Sequence, residues 1–199
     1  MKKLLNILIF LFIFSLYFIT FLMIYDNFRE RKLNSKEKEA IELFEEKIEK
    51  KKDEPQPQIL AQTHSVNYNG YTILGRIEVP KVGINTVILK EQTYAAMNIG
   101  AIKTYGVDLN EVGGFVISAH NFRGKTPFFY YILNLGDGDI IKITDNRGRT
   151  LNYKVYSVSR RVAPTDVSYL VKTEDYHVTL VTCENGGKSR IVVRAHVVD

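Results

Sequence analysis

The hydrophobic pattern along the chain changes twice, and its first region is an unbroken apolar run. From Leu4 to Tyr25 nearly every residue is apolar, mostly Leu, Ile and Phe, with interruptions at Asn6, Ser15 and Thr20. At about 1.5 Å per residue, a helix of this length crosses a hydrocarbon core of about 30 Å. The pattern therefore predicts a transmembrane anchor over residues 4–25, preceded by a short cytoplasmic tail of residues 1–3.

A cleaved signal peptide is the alternative reading of this run. The run exceeds the roughly 7–15 apolar residues of such a segment, and the bulky residues 23–26 offer no small-residue cleavage site. Basic residues lie on both sides of the span, at Lys2, Lys3, Arg29, Arg31 and Lys32. Their count leaves the orientation open. A short basic tail before an uncleaved span favours a cytoplasmic N-terminus with the remaining chain outside.

The second region, residues 26–67, is rich in Glu and Lys. Within it Ile41, Phe44 and Ile48 recur at spacings of three and four, which places a thin apolar stripe on one face of a helix. Two turns of stripe fall short of the three to four heptads that indicate a coiled coil. We therefore expect a solvated stalk helix, followed by a Pro/Gln linker over residues 53–58.

The third region, residues 68–199, has short runs of Val, Ile, Thr and Tyr between Gly, Asn and Asp, which is typical of β-structure. Turn residues at 145–148 separate two of the runs. Short helices fit Thr93–Ile99 and Pro127–Leu133. The pattern favours a closed all-β barrel of about eight strands over a parallel α/β sheet. We predict strands at Ile73–Val79, Asn85–Leu89, Gly114–Ser118, Asp139–Thr144, Thr150–Ser159, His177–Thr182 and Arg190–Val197.

Composition narrows the functional classes. The net charge of +5 comes from 27 basic and 22 acidic residues mixed along the chain, so no nucleic-acid partner is predicted. The single cysteine, Cys183, excludes an intramolecular disulfide and a multi-cysteine metal site. A lone cysteine is often only a small buried hydrophobe, but in an exported domain it can be a reactive thiol.

The residues around Cys183 favour the reactive alternative. Cys183 ends a predicted strand, residues 184–188 form a turn, and Arg190 begins the next strand. A guanidinium on the neighbouring antiparallel strand can favour a thiolate and stabilise an oxyanion. His120 similarly ends a predicted strand, and imidazole is the usual proton acceptor and donor near neutral pH.

These residues lie within motifs that resemble the sortase family. Thr179-Leu180-Val181-Thr182-Cys183 is similar to the TLxTC signature that precedes the sortase turn and catalytic arginine. The other segments follow in the family's order and cover roughly Tyr71 to the C-terminus. They are Gly75–Ile84, Ile117–Asn121, the aromatic and Leu-Gly segment from Phe128 to Asp139, and Ser189–Val193.

The resemblance implies a cysteine transpeptidase on the outer face of a Gram-positive-type bacterial membrane. Cys183 would attack the Thr–Gly amide of an LPxTG-like sorting signal, and His120 would transfer protons to the leaving amine and from the incoming one. Arg190 would hold the substrate and the oxyanion. The acyl group would pass to a cell-wall precursor amine, which implies ping-pong kinetics.

The resemblance also assigns substrate-binding positions to Thr182, Ala119, Asn121 and Val181. Ala119 replaces the Gly that often precedes the family histidine, and the six residues between Cys183 and Arg190 make a short connection. The 160–175 connection matches the family's specificity loop. With no evident lid and no second span, the sequence favours protein anchoring over pilin polymerisation.

Other residues are assigned structural roles. His64 is expected in the linker and His177 and His196 within strands, while Arg194 shares the strand face of Arg190 and is the rival cation. No cofactor is predicted. A calcium site is the alternative for the scattered acids, which are Glu78, Glu91, Asp108 and Glu111.

Two other functions remain open from the residues. A non-catalytic, membrane-tethered β-barrel binding module would leave Cys183 merely buried. A cysteine hydrolase would use the same site with water as the acceptor.

Overall fold

The computed structural model describes residues 2–53, 66–121, 128–170 and 172–198. The predicted Pro/Gln linker from residue 54 onward, together with His64, lies outside the described residues. The helices are α1 (Lys2–Asp53) and α2 (Tyr94–Met97). The strands are β1 (Val66–Tyr68), β2 (Tyr71–Val79), β3 (Ile84–Leu89), β4 (Ala101–Gly106), β5 (Gly113–Ser118), β6 (Ile140–Asp145), β7 (Thr150–Val162), β8 (Tyr176–Glu184) and β9 (Ser189–Val198).

Eight of the strands close into a barrel. Their order is β2-β3-β4-β5-β8-β9-β7-β6, and β6 pairs back onto β2 to complete the ring. β1 is an additional strand beside β2. Most neighbours are antiparallel, but β3–β4 and β5–β8 are parallel. The predicted closed barrel of about eight strands is confirmed.

Alternate residues of the strands fill the barrel. Along β8, Val178 and Leu180 face inward and are fully buried, as is Val193 opposite Leu180 on β9. Ile77 and Ile117 contribute to the same core. This period of two places the odd-numbered residues of β8 on the outer face of the barrel, where the earlier ones are buried by other parts of the chain and Cys183 is exposed.

Two strands and one helix differ from the sequence expectation. β1 and β4 were not predicted, because β1 has three residues and β4 carries a polar Lys-Thr pair in its middle. The helix expected over Pro127–Leu133 is wrong in its described part. Residues 128–131 form a turn, in which Phe128 has a φ of +22° that a helix cannot propagate, and a 3-10 turn follows at Ile132–Asn134.

The expected helix is present as the second half of α1, but its apolar stripe packs on the outside of the barrel, so the expectation that it is solvated is wrong. Ala40, Phe44 and Ile48 are buried in a cluster with Val87 and Leu89 of β3. Burying Phe44 and Ile48 contributes about 1.5–3 kcal/mol each. The stripe on α1 is therefore the inner surface of an interface with the barrel.

A carboxyl group is buried in that interface beside a buried hydroxyl. Glu37 is 6% exposed, and this burial raises the pKa of its carboxyl to about 7, partly offset by the Thr86 hydroxyl. At the rim of the same interface, Glu39 accepts a hydrogen bond from Tyr68 Oη at 2.7 Å and Glu45 pairs with Arg76. Polar contacts thus fix the register of α1 against the barrel.

The first half of α1 presents a different surface. Its large apolar side chains, from Ile7 to Phe28, are exposed all round the helix. Among the described residues, α1 is the one helix long and apolar enough to cross a membrane, by length and composition. A helix that is apolar on every side suits a lipid environment.

Candidate active site

β8 carries Cys183 to the outer surface near the end of the strand. Cys183 is exposed, whereas the preceding Thr182 points inward and is 2% exposed. Thr182 Oγ1 donates a hydrogen bond to the carbonyl of Ala119 at 2.8 Å. This bond joins the end of β8 to the chain leaving β5 and fixes the backbone beside the thiol.

Arg190 lies directly opposite Cys183 on the antiparallel strand β9. Residues opposite each other share a sheet face, with Cβ atoms about 4.5–5.5 Å apart. Arg194, the rival cation, instead lies opposite Thr179, about 13 Å farther along the strand at about 3.3 Å per residue. The register therefore brings Arg190, and not Arg194, to Cys183.

The Arg190 guanidinium is held by its own turn. Nη1 donates to the carbonyls of Gly187 and Ser189 at 2.9 and 3.0 Å. A guanidinium has five N–H donors, and both of these bonds come from one nitrogen. The turn therefore orients the group while using only part of its donor set.

His120 reaches Cys183 from the other side. β5 is parallel to β8 with Ser118 beside Val181, and the Ala119 amide donates to the Val181 carbonyl at 3.4 Å. Two residues beyond that pair, His120 lies at the level of Cys183. Since adjacent strands are about 4.8 Å apart, the imidazole, thiol and guanidinium belong to three neighbouring strands of one rim.

Asn121 and Phe129 hold the backbone around His120. Asn121 Nδ2 donates to the carbonyl of Cys183, and the Phe129 amide donates to the carbonyl of His120 at 3.2 Å. His120 and Asn121 are thereby attached both to β8 and to the buried Phe129. Residues 122–127 lie outside the described residues.

His120 is half-buried, and this burial lowers the pKa of its imidazole. The ring of Tyr94, the first residue of α2, packs edge-on against it, with centroids 4.9 Å apart and planes inclined at 62°. A lowered pKa favours the neutral imidazole, which is the form that can accept a proton.

A buried carboxylate lies next to Cys183. Glu184 is 7% exposed and accepts hydrogen bonds from Arg160 Nε and Nη2, from the Arg161 amide and from Ser189 Oγ, at 2.8–3.1 Å. The Arg161 amide, followed by the side chains of Arg160 and Ser189, lowers the pKa of Glu184. The ends of β7, β8 and β9 thus meet at one carboxylate.

The β7 end of this cluster is irregular. The β7–β9 register shifts between Ser159 and Val162, and Arg161 has a φ of +55°. A non-glycine residue in the left-handed region is strained, and its amide is satisfied by Glu184. From this bulge the chain leaves β7 and crosses the outer surface toward β8.

That connection, residues 163–175, covers a small apolar cluster next to Cys183. Val116, Val181 and Val192 are buried beneath it, with Val162, Tyr169 and Leu170 packed against them. Val181 and Val192 are the cross-strand pair adjoining Cys183 and Arg190 on the same face. The connection therefore forms an apolar wall beside the thiol.

The residues predicted to bind substrate occupy different positions. Val181 lies in the apolar cluster, Ala119 and Thr182 are buried and joined by a hydrogen bond, and Asn121 bonds the backbone of Cys183. Their contact with a substrate stays a prediction. Glu184 and Tyr94 were missed by sequence reasoning; the only available signal for Glu184 was an acid next to the lone cysteine.

The described histidines of β8 and β9 and the acids considered for calcium make their contacts with residues other than Cys183. His177 pairs with His196 near the start of β8, and its Nε2 is 2.8 Å from Tyr156 Oη. The acids considered for calcium are dispersed: Glu78 faces Arg76 and Lys142, and Glu111 faces Arg147 and Arg149. No group of three or more metal-ligating side chains occurs in the described part of the chain.

Comparison with known proteins decides the family. The family model described as Sortase domain matches residues 77–198, which is more than half of the chain. The chain belongs to the sortase family. The match includes His120, Cys183 and Arg190, so the family resemblance inferred from the motifs is confirmed.

Individual sortases are similar to this chain. Sortase A of Listeria monocytogenes is 28% identical over 122 residues, which are 60% of this chain and 53% of that protein. The chain therefore spans about half the length of this relative. The Clostridium perfringens Sortase D5 transpeptidase structure has a TM-score of 0.64 and 26% identity, covering 83% of this chain and 99% of that one.

A second Clostridium perfringens structure, sortase C with the C-terminal cell wall sorting motif, has a TM-score of 0.57 and 26% identity. It covers 87% of this chain and 97% of that chain. These sortase structures share the barrel described above.

Proposed function

We propose that this chain is a membrane-anchored cysteine transpeptidase that cleaves an LPxTG-like sorting signal between Thr and Gly. It then transfers the acyl group to a cell-wall precursor amine. The observation that carries the proposal is the exposed thiol of Cys183, located between Arg190 on β9 and His120 after β5. A nucleophile, a proton-transfer group and a cation on one rim are the parts that acyl transfer needs.

The first half-reaction forms a thioester. The Cys183 thiol gives its proton to His120, and the sulfur attacks the Thr carbonyl carbon while the Arg190 guanidinium stabilises the negative charge that develops on the carbonyl oxygen. As the C–N bond to Gly breaks, His120 gives a proton to the leaving amine. The acyl group is then bound to sulfur, and the C-terminal fragment departs with a free amino group.

The second half-reaction transfers the acyl group. An amine attacks the thioester carbonyl and His120 accepts the proton that the amine loses. The C–S bond then breaks, and His120 passes this proton to the departing sulfur, which restores the Cys183 thiol. No nucleotide is consumed, because the energy of the amide is kept in the thioester. If water replaced the amine, the same steps would hydrolyse the signal.

The apolar part of the sorting signal fits the wall beside the thiol. Val181 and Val192 form a floor that adjoins Cys183, and Tyr169 and Leu170 of the 163–175 connection lie over it. Because these valines are already covered, Leu and Pro side chains would pack against the half-buried Tyr169 and Leu170, while the Thr–Gly bond would lie over the sulfur. We assign this surface to the residues that precede the cleaved bond.

Anchoring by α1 completes the proposal. With residues 4–25 in the bilayer and the N-terminus inside, the barrel lies on the outer face, where surface proteins and cell-wall precursors meet. The exposed apolar side chains in the first half of α1 support this placement.

The test uses the full chain in detergent micelles with an LPxTG-like peptide, with and without an added primary amine. We expect cleavage between Thr and Gly, a thioester adduct by mass spectrometry, and transfer to the amine. Cys183→Ala should lose all three, with an unchanged thermal unfolding midpoint as the control for folding. Because the chain has one cysteine, stoichiometric alkylation of the wild-type chain should abolish the same activity.

Each other outcome names a different function. A peptide that binds but is never cleaved would make the chain a binding module. Cleavage that yields only the hydrolysed product at saturating amine would make it a hydrolase.

A further inference from the structure

Tyr94 has an unusual position for a large aromatic residue. It is the first residue of the single-turn helix α2, and its side chain is 70% exposed. The preceding Thr93 caps the helix, since its side-chain oxygen accepts a hydrogen bond from the Ala96 amide at 3.1 Å. Ala96 is the residue of α2 that is buried against the barrel. The helix is thus fixed by its cap and by Ala96, and not by the Tyr94 ring.

The ring of Tyr94 contacts the imidazole of His120. The centroid distance of 4.9 Å and the inclination of 62° describe an edge-to-face pair. Such pairs have a preferred geometry, because the positive edge of one ring faces the negative face of the other. The contact restricts rotation of the imidazole and covers one side of it.

We propose that Tyr94 is a positioning residue for His120, which holds the imidazole toward Cys183 and shields one side of it from water. The inference rests on the proposed role of His120 in proton transfer. Tyr94 acts through His120 and is given no contact with substrate. Its phenol hydroxyl is not required, since the ring makes the contact.

The surroundings of His120 define what a change at Tyr94 would do. Cys183 faces it from β8, Arg190 lies one strand beyond on β9, and Tyr94 covers it from α2. Burial is the cause that lowers the pKa of His120. Removing the ring would hydrate the imidazole, so its pKa should rise toward the ordinary value.

Two variants and one control test this on the full chain in detergent micelles. Tyr94→Ala removes the ring and Tyr94→Phe keeps it. Tyr105→Ala removes an aromatic side chain from β4, at a residue that is 37% exposed and lies opposite Val116 of β5, four residues before His120. The His120 imidazole is titrated by NMR with labelled histidine, its resonance being assigned by its loss in His120→Gln. Transpeptidation is measured on the same samples across pH.

In Tyr94→Ala we expect the His120 pKa to rise, and the limb of the pH–rate profile that reports His120 to move up with it. We expect kcat to fall about 3- to 10-fold, because the interaction free energy of one aromatic pair corresponds to a rate factor of this size. The peptide KM should stay within about twofold of wild type. Tyr94→Phe and Tyr105→Ala should match the wild type in both measurements.

Three outcomes would overturn the inference. They are an unchanged His120 titration in Tyr94→Ala, an equal effect in Tyr105→Ala, or an equal loss in Tyr94→Phe. The NMR titration needs no turnover. If the wild-type chain cleaves no peptide, the proposed function fails, while the contact between Tyr94 and His120 is still judged by the titration.

Discussion

The two ends of the β8–β9 ladder present the same face of the same strand pair, yet they hold their polar groups differently. At the start of β8, His177 lies opposite His196, is 8% exposed, and is hydrogen-bonded to Tyr156. At the other end, Cys183 lies opposite Arg190 and is exposed. One end is closed by aromatic packing, and the other is open at a rim.

The difference shows that position in the ladder, more than residue type, separates a structural group from a candidate reactive one. His177 has the chemistry of a proton-transfer residue, but its ring nitrogen is bonded to Tyr156. His120 has the same chemistry and lies at the rim beside Cys183. The two arginines differ in the same way, since Arg190 faces Cys183 and Arg194 faces Thr179.

The largest expected effect on activity comes from replacing each of the two arginines of β9 in turn. Arg190→Gln should lower kcat about 10²- to 10³-fold, because it removes the donor assigned to the oxyanion. Arg194→Gln removes the same charge from the same face of β9 and should stay within about threefold of wild type. Steady-state kinetics with the peptide and a saturating amine measure both. A larger loss in Arg194→Gln would show that the register does not select the functional cation.

An intermediate effect on activity is expected at Glu184, whose carboxylate accepts hydrogen bonds from β7 and β9 at the open end of the ladder. Glu184→Gln weakens the bonds to Arg160 and the Arg161 amide, so the base of the 163–175 wall should loosen. We expect the peptide KM to rise about tenfold, which corresponds to about 1.4 kcal/mol, with a smaller change in kcat. Glu174→Gln, at an exposed acid of the same connection, is the charge-matched control.

The cause of the Glu184 effect can be checked by pH. Its pKa is lowered in the folded state, so its stabilisation is present above the unfolded value of about 4.5 and is lost as pH falls through the folded pKa. Wild type should lose more stability than Glu184→Gln in that acid range. Thermal unfolding measures this. If wild type and Glu184→Gln lost the same stability at acid pH, the carboxylate of Glu184 would not hold the ends of β7, β8 and β9 together.

The smallest effect on activity is expected at the closed end. Tyr156→Phe removes the bond to His177 and should cost about 1 kcal/mol of unfolding free energy, with transpeptidation unchanged. Denaturant unfolding and the peptide assay measure the two quantities. A fall in activity without a fall in stability would assign the closed end a part in the reaction.

The closed end should also make the free energy of unfolding depend on pH. Burial, helped by Arg194 and His196, lowers the pKa of His177. The folded state then binds fewer protons than the unfolded one, so stability is full above about pH 6.5 and falls as pH drops below it. His177→Gln should flatten this dependence.

The sequence predicted the barrel and the ladder because both depend on local patterns. Alternating strands gave the fold class, and the order of motifs located Cys183, His120 and Arg190 on strand ends. Choosing between Arg190 and Arg194 required the β8–β9 register, since a period of two puts both on one face.

The packing of α1 was missed because its partner is far away in sequence. The stripe of Phe44 and Ile48 indicated an amphipathic helix but not what covers it. A further signal was present in β3, where Val87–Leu89 is a continuous apolar run that is buried on both faces. Tyr94 and Glu184 were missed for the same reason, because their contacts join separate elements of the barrel.

The helix α1 has a mechanical consequence for the barrel that it carries. It is continuous from Lys2 to Asp53, and only about three turns, roughly 18 Å, separate Tyr25 at the end of the apolar run from Glu37 at the barrel. With the apolar run in a bilayer, the barrel is connected to the membrane by a short continuous helix that contains no flexible linker. The rim that carries Cys183 would then be held at a fixed distance from the lipid surface. The cleavable segment of every substrate would have to extend to that distance.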